Sequence, residues 1–169
     1  TTTMTLIPLI RQASKLPLIA AGGIATGSQL LAALALGAEG VQIGSRFAVS
    51  NESSAHPYFK ARVIAASEGD TSLSMKKLVP VRLLKNAFAE KVKEAEARGA
   101  DAEELKDLLG KGRAKKGMFE GDLVEGELEI GQAAALIQRI ESVEEIFHDL
   151  LSGFEMAKKS LDSNISSDY

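Results

Sequence analysis

Two short apolar runs ending in glycine, an Ala- and Leu-rich stretch between them, and a charged C-terminal half with helical periodicity together predict an α/β fold. The predicted architecture is the C-terminal part of a (β/α)8 TIM barrel, strands 7 and 8 with their helices, followed by a mostly helical C-terminal extension. A complete barrel of this kind takes roughly 250 residues and this chain has 169. Two parallel strands do not make a sheet or barrel alone, and residue 1 is Thr rather than Met, so the earlier strands are expected in a preceding part of a longer chain.

Each element has a local reason. Thr5 to Ser14 carries Leu6, Ile7, Leu9 and Ile10 and is predicted helical. Pro17-Leu18-Ile19-Ala20-Ala21 is apolar on both faces and bounded by turn formers, the pattern of a buried parallel strand. Ser28 to Leu36 follows as a helix, with Thr26 or Ser28 as its cap and Gly37 where a left-handed stop belongs. Gly40-Val41-Gln42-Ile43-Gly44 is the second buried strand, roughly 20 residues beyond the first, a right-handed crossover spacing.

Beyond it, Ser54-Ala55-His56-Pro57 predicts a helix start with Pro in the first turn, the helix running to about Ser67. Thr71 to Leu84 is predicted extended or irregular. Ala87 to Arg98 and Ala102 to Leu109 read as helices stopped by Gly99 and Gly110, and 111–131 as an ordered loop. Gln132 to Ile140 and Ser142 to Lys159 are predicted helices, the second opened by the capping box Ser142-x-x-Glu145. The expected organisation is a barrel portion over 1–70, a helical and loop subdomain covering the barrel mouth over 71–160, and a frayed tail over 161–169.

Composition narrows the function. With 45% hydrophobic and 25% charged residues the chain can bury a core. Cys is absent, which excludes disulfides, thiolate metal sites and a cysteine nucleophile. No apolar run reaches the ~20 residues of a membrane span and no signal peptide is visible, so a cytoplasmic protein without membrane contact is expected. Residues 71–118 carry 12 basic and 7 acidic side chains, and 119–169 carry 3 and 12. The middle therefore offers docking to an acidic partner, or simply a solvated helix face. Interleaved Glu and the lack of aromatics argue against nucleic acid.

The chemistry concentrates at the two strand ends, Ala21-Gly22-Gly23-Ile24 and Gln42-Ile43-Gly44-Ser45-Arg46-Phe47. Glycine lets backbone N–H groups approach an anion without Cβ interference, and a short helix from Ser45 adds a hydroxyl and its dipole. The loops after strands 7 and 8 are the usual phosphate site of such barrels. A P-loop would need Lys where Ser28 stands, and a dinucleotide fingerprint would need Gly at Ile24, so both fail. The alternative is that the glycines only make tight turns; two such ends together favour a phosphate site.

These motifs, with Ala35-Leu36-Gly37-Ala38-Glu39 before the second strand, resemble the FMN-dependent barrel superfamily of nitronate monooxygenases and flavin-dependent enoyl-[acyl-carrier-protein] reductases. Pro80-Val81-Arg82-Leu83-Leu84-Lys85-Asn86, Glu120-Gly121-Asp122, Gly126 and Gly131-Gln132-Ala133 extend the resemblance over residues 1 to 160, nearest to the FabK-type enoyl-ACP reductase. The resemblance implies FMN phosphate on Gly22, Gly23, Gly44 and Ser45, with Gln42 toward the flavin and Ile43 also among the cofactor-binding residues. It implies Gly131, Gln132 and Met118 lining the active site. It implies NADH or NADPH as co-substrate, trans-2-enoyl thioesters on acyl carrier protein as substrate in type II fatty acid biosynthesis, and a homodimer. The family's active-site His has no counterpart here, so no catalytic residue is assigned in this chain.

The remaining candidates have plainer readings. His56 is expected to cap or pack, and His148 to be structural or exposed. Glu125, Glu127 and Glu129 alternate, and on a strand would share one face fit for a divalent metal; solvated charge is the simpler reading, and no metal is assigned. Lys76, Lys77, Arg82 and Lys85 are candidates for steering an acidic carrier. The competing functions are nitronate oxidation on the same cofactor and a non-catalytic phosphate-ligand or interaction module.

Overall fold

The computed structural model describes residues 2–166. Its elements run α1 (Thr3–Ala13), β1 (Ile19–Ala21), α2 (Gly27–Ala35), β2 (Gly40–Gln42) and α3 (Ser45–Ala48). Then come α4 (Pro57–Ile64), β3 (Thr71–Ser74), β4 (Val81–Leu84), α5 (Ala87–Ala97), α6 (Ala102–Leu109) and α7 (Val143–Ser166). Contacts divide them into two units, residues 1–51 with 141–169 and residues 52–140.

In the first unit β1 and β2 pair in parallel, Ile19 opposite Gly40 and Ala21 opposite Gln42, with α2 as the crossover. Thr26 caps α2 in a full capping box with Gln29, and Gly37 ends the helix region at φ 106°. Ile7, Ala20, Ile24, Ala33 and Ala38 form the core, with Leu18, Leu36, Val41 and Ile43 packed against it. α7 lies across α2 at two glycines, because a Cβ on Gly27 would run into the backbone of Gly153 and Phe154. The strands are not buried on both faces as the apolar runs predict. Ile19 is 54% exposed and Gln42 is exposed, because the only strand pairing of β1 and β2 among the described residues is with each other.

The second unit is built on the antiparallel hairpin β3–β4, Thr71 opposite Leu84, where the sequence predicts only extended or irregular chain. Its turn passes through Met75, a buried residue at φ 57°. α5 and α6 cover it through Leu83, Phe88, Val92 and Leu105. Asn86 and Asp101 cap these helices through their side chains.

Four predictions are corrected, three in this unit and one in α7. The 111–131 stretch is more than a loop: it contains a π-turn at Lys115–Phe119, and 127–130 pairs with β4 through Leu84 N–H to Leu128 O and Ile130 N–H to Arg82 O. The helix over 132–140 shrinks to a 3₁₀ turn, Gln132–Leu136, since no side chain caps its start and Ile137 is extended. α4 ends at Ile64 rather than near Ser67. α7 keeps the Ser142–Glu145 capping box and stays helical to Ser166, beyond the expected stop at Lys159; residues 167–169 lie outside the described residues.

Candidate functional site

Strand register sets the geometry of the site. Ala21 pairs with Gln42, so Gly22-Gly23 and Ile43-Gly44-Ser45 leave the sheet side by side from adjacent parallel strands. Gly22 (φ 93°) and Gly23 (φ 75°) adopt a left-handed backbone that β-carbons disfavour. Thr3 Oγ1 donates to Gly22 O at 3.1 Å, which fixes the turn from α1. Gln29 Oε1 then accepts from Ala25 N–H at 2.8 Å and from Thr26 N–H at 3.2 Å, so the rest of the loop is held from within.

The second loop enters α3 through Gly44, and no side chain caps that start. A Cβ at Gly22 or Gly44 would meet nothing within 4 Å, and the N–H groups of Gly23 and Gly44 have no acceptor among the described residues. Open backbone donors on two adjacent strand ends fit a phosphate group such as that of FMN. Gln42 is exposed at the end of β2, and Ile43 turns into the core.

Sequence reasoning missed the group that ties this region together. Arg46, with 8% of its surface exposed, donates from Nη1 to Ala25 O at 2.9 Å and from Nε and Nη2 to Glu141 Oε2 at 3.2 and 2.8 Å. Nη1 also pairs with Asp149 Oδ2 at 2.7 Å. One guanidinium therefore binds the loop after β1, the loop after β2 and α7. Burial works against its charge, but the hydrogen bonds and field of Glu141 and Asp149 outweigh burial and hold its pKa above the ordinary value. Arg46 sits inside the glycine-rich motif, yet Glu141 lies 95 residues away and no local pattern joins them.

Met118, Gly131 and Gln132 belong to the other unit. Met118 is half-buried in the π-turn, and its carbonyl accepts from His56 N–H at 2.8 Å. His56 caps α4 by accepting from Tyr58 N–H at Nδ1, and Gly121 lies beneath its ring, where a Cβ would collide. His148 is exposed on α7. Gly131 opens the 3₁₀ turn, and Gln132 borders a cavity of about 410 Å³ lined also by Ser67, Glu68, Gly69, Thr71, Arg82 and Ala135.

The acidic row separates in space. Glu125 lies in a turn and pairs with Lys91 at 2.7 Å, and that bond holds its carboxyl below the usual range. Glu127 is buried, and Glu129 is half-buried opposite Leu83. Among the described residues no three His, Asp or Glu side chains converge on a metal position. In the basic segment, Lys77 Nζ donates to the carbonyls of Gly99 and Ala100 at 2.9 Å and so closes the end of α5.

The nitronate monooxygenase family profile matches residues 1–153, so the chain belongs to that family of flavin-dependent oxidoreductases. A probable nitronate monooxygenase of Bacillus subtilis is 49% identical over 71 residues, 42% of this chain and 20% of that protein. One of Staphylococcus saprophyticus is 33% identical over 144 residues, 83% of this chain and 39% of that protein. Among solved structures, FabK from Thermotoga maritima matches with TM-score 0.90 and 38% identity, covering 97% of this chain and 52% of that one. A nitroalkane oxidase from Streptomyces ansochromogenes matches with TM-score 0.73 and 30% identity, over 94% of this chain and 45% of that one. The chain spans one fifth to two fifths of these curated relatives and about half of these structures. No helix among the described residues is long and apolar enough to cross a membrane.

Proposed function

We propose that this chain is the C-terminal part of an FMN-dependent enoyl-[acyl-carrier-protein] reductase that uses NADH or NADPH. The observation that carries the reading is the likeness to FabK, TM-score 0.90 over 97% of the chain. In this reading β1 and β2 are strands 7 and 8 of a (β/α)8 barrel, and the exposed Leu16 and Ile19 lie where the preceding part of the barrel packs. The backbone of Gly22, Gly23, Ile43, Gly44 and Ser45 holds the FMN phosphate, and Gln42 faces the flavin. Arg46 keeps the two loops in register. Gly131, Gln132 and Met118 line the substrate side.

Bound there, FMN supplies the relay of a hydride equivalent from the nicotinamide to the β-carbon of a trans-2-enoyl thioester. The residues of this chain bind and orient; none is assigned to deliver the proton that completes the α-carbon. The net charge of +5 over 71–118 suits an acidic acyl carrier protein, met by the exposed Lys76 and Lys85, and the assembly is a cytoplasmic homodimer.

The names of the curated relatives favour a second reading, a nitronate monooxygenase that needs no nicotinamide. Anaerobic oxidation of NADH and NADPH by the full-length protein, with and without a crotonyl thioester, separates the two. Oxidation that depends on the thioester is expected. Bound flavin without any such oxidation, together with oxygen uptake on an alkyl nitronate, would replace the first reading with the second.

A further inference from the structure

Arg82 is a half-buried arginine on β4 whose guanidinium, among the described residues, donates to the main-chain oxygen and hydroxyl of Thr71, both at 3.2 Å from Nη1. It has no carboxylate partner among the described residues. Arg11, Arg46, Arg98 and Arg113 all have one. Arg82 is also the only cation lining the cavity of about 410 Å³ that Gln132 borders.

The other walls suit an anion with hydrogen-bonding oxygens. Ser67 and Thr71 bring hydroxyls and Gln132 an amide. Gly69 stands at φ 81° with nothing within 4 Å of a β-carbon, so its backbone is open to the space. Glu68 is the single carboxylate of the lining and is exposed at the rim. A guanidinium presents a planar fork of donors that matches phosphate oxygens two at a time, and its charge is permanent.

We propose that this cavity is a second anion site, in which Arg82 and Gln132 receive a phosphate group carried by an organic ligand. This deepens the proposed function, since a nicotinamide dinucleotide phosphate carries such a group as a monoester and the phosphopantetheine arm of a carrier protein carries it as a diester. The site is read by binding alone, so it can fail while the reductase reading stands, and the reverse.

The test is calorimetric titration of the full-length protein already saturated with FMN, which keeps the strand-end donors out of the measurement. The probes are adenosine 2′,5′-bisphosphate, 4′-phosphopantetheine and inorganic phosphate. One-to-one binding of at least one organic probe is expected, and which one binds identifies the source of the phosphate. Arg82→Gln should weaken it about tenfold or more, whereas Arg62→Gln, which alters an arginine outside the cavity, should leave it unchanged.

Two variants that leave Arg82 in place guard against loss of fold. Ser67→Asp, adding a carboxylate to the lining, should abolish binding. Glu68→Gln, removing the rim charge, should strengthen it several-fold. Absence of binding by all three probes at millimolar concentration would overturn the proposal. So would binding of inorganic phosphate alone, or affinities that ignore Arg82, Ser67 and Glu68.

Discussion

Glu127 sits with 5% of its surface exposed on the segment that pairs with β4, and no ion pair among the described residues holds its carboxylate. Burial pushes its pKa up to about 7, the nearby Glu129 charge adds to the rise, and Arg113 opposes it. The folded protein thus keeps this proton to higher pH than an unfolded chain, whose Glu titrates at 4.5. The resulting stability is full below about pH 4.5 and is lost as the pH rises through 7, with a slope of at most about 1.4 kcal/mol per pH unit. Glu127→Gln should remove that slope and make the protein more stable than wild type above pH 7, as measured by urea unfolding at pH 5, 7 and 8. Identical pH profiles for the two proteins would contradict the assignment. The sequence alternation of Glu125, Glu127 and Glu129 could not separate these side chains. One is ion-paired in a turn, one buried and one half-buried at a bridge, because only 127–130 is extended.

At the scale of elements, what the sequence makes legible is what is local. Thr26, Asn86, Asp101 and Ser142 mark helix starts because a cap needs only a side chain and an amide two or three residues on. Gly37 and Gly99 mark ends for the same reason, at φ 106° and 92°. The β3–β4 hairpin was hidden because its turn is made by Met75 in a left-handed conformation without glycine. The 3₁₀ turn at 132–136 was hidden because an Ala-rich run suits either helix type and packing decides.

Arg46 joins elements that no local pattern joins. Replacing it with Met removes the guanidinium that donates twice to the buried carboxylate of Glu141 and releases both strand-end loops from α7. The expected loss is about 3–5 kcal/mol, with Arg46→Met/Glu141→Gln losing less than the sum of the single changes. Chemical denaturation of the full-length protein reads both; a loss below about 1 kcal/mol would show that the network does not hold the loops.

For the whole molecule, the strand-end glycines, their crossover helix and their place in the nitronate monooxygenase family were legible from residues 21–47 alone. The choice between nitronate and enoyl thioester was not, since both chemistries use one cofactor and differ in what lines the substrate space. The structure adds what would receive the proposed phosphate. Adjacent parallel strands deliver two open backbone turns side by side, and three hydrogen-bonded partners of Arg46 keep them there.

The measurement that tests this most directly compares FMN with riboflavin, which lacks the phosphate, on the full-length protein and its Gly44→Asp variant. Gly44 has φ −94° and open space at its β-carbon, so Asp is accommodated and places a negative charge at the cradle. Wild type should prefer FMN by at least about 100-fold, the worth of two charge-assisted hydrogen bonds, and the variant should lose most of that preference while still binding riboflavin. An FMN preference that survives Gly44→Asp unchanged would place the phosphate elsewhere and contradict the account.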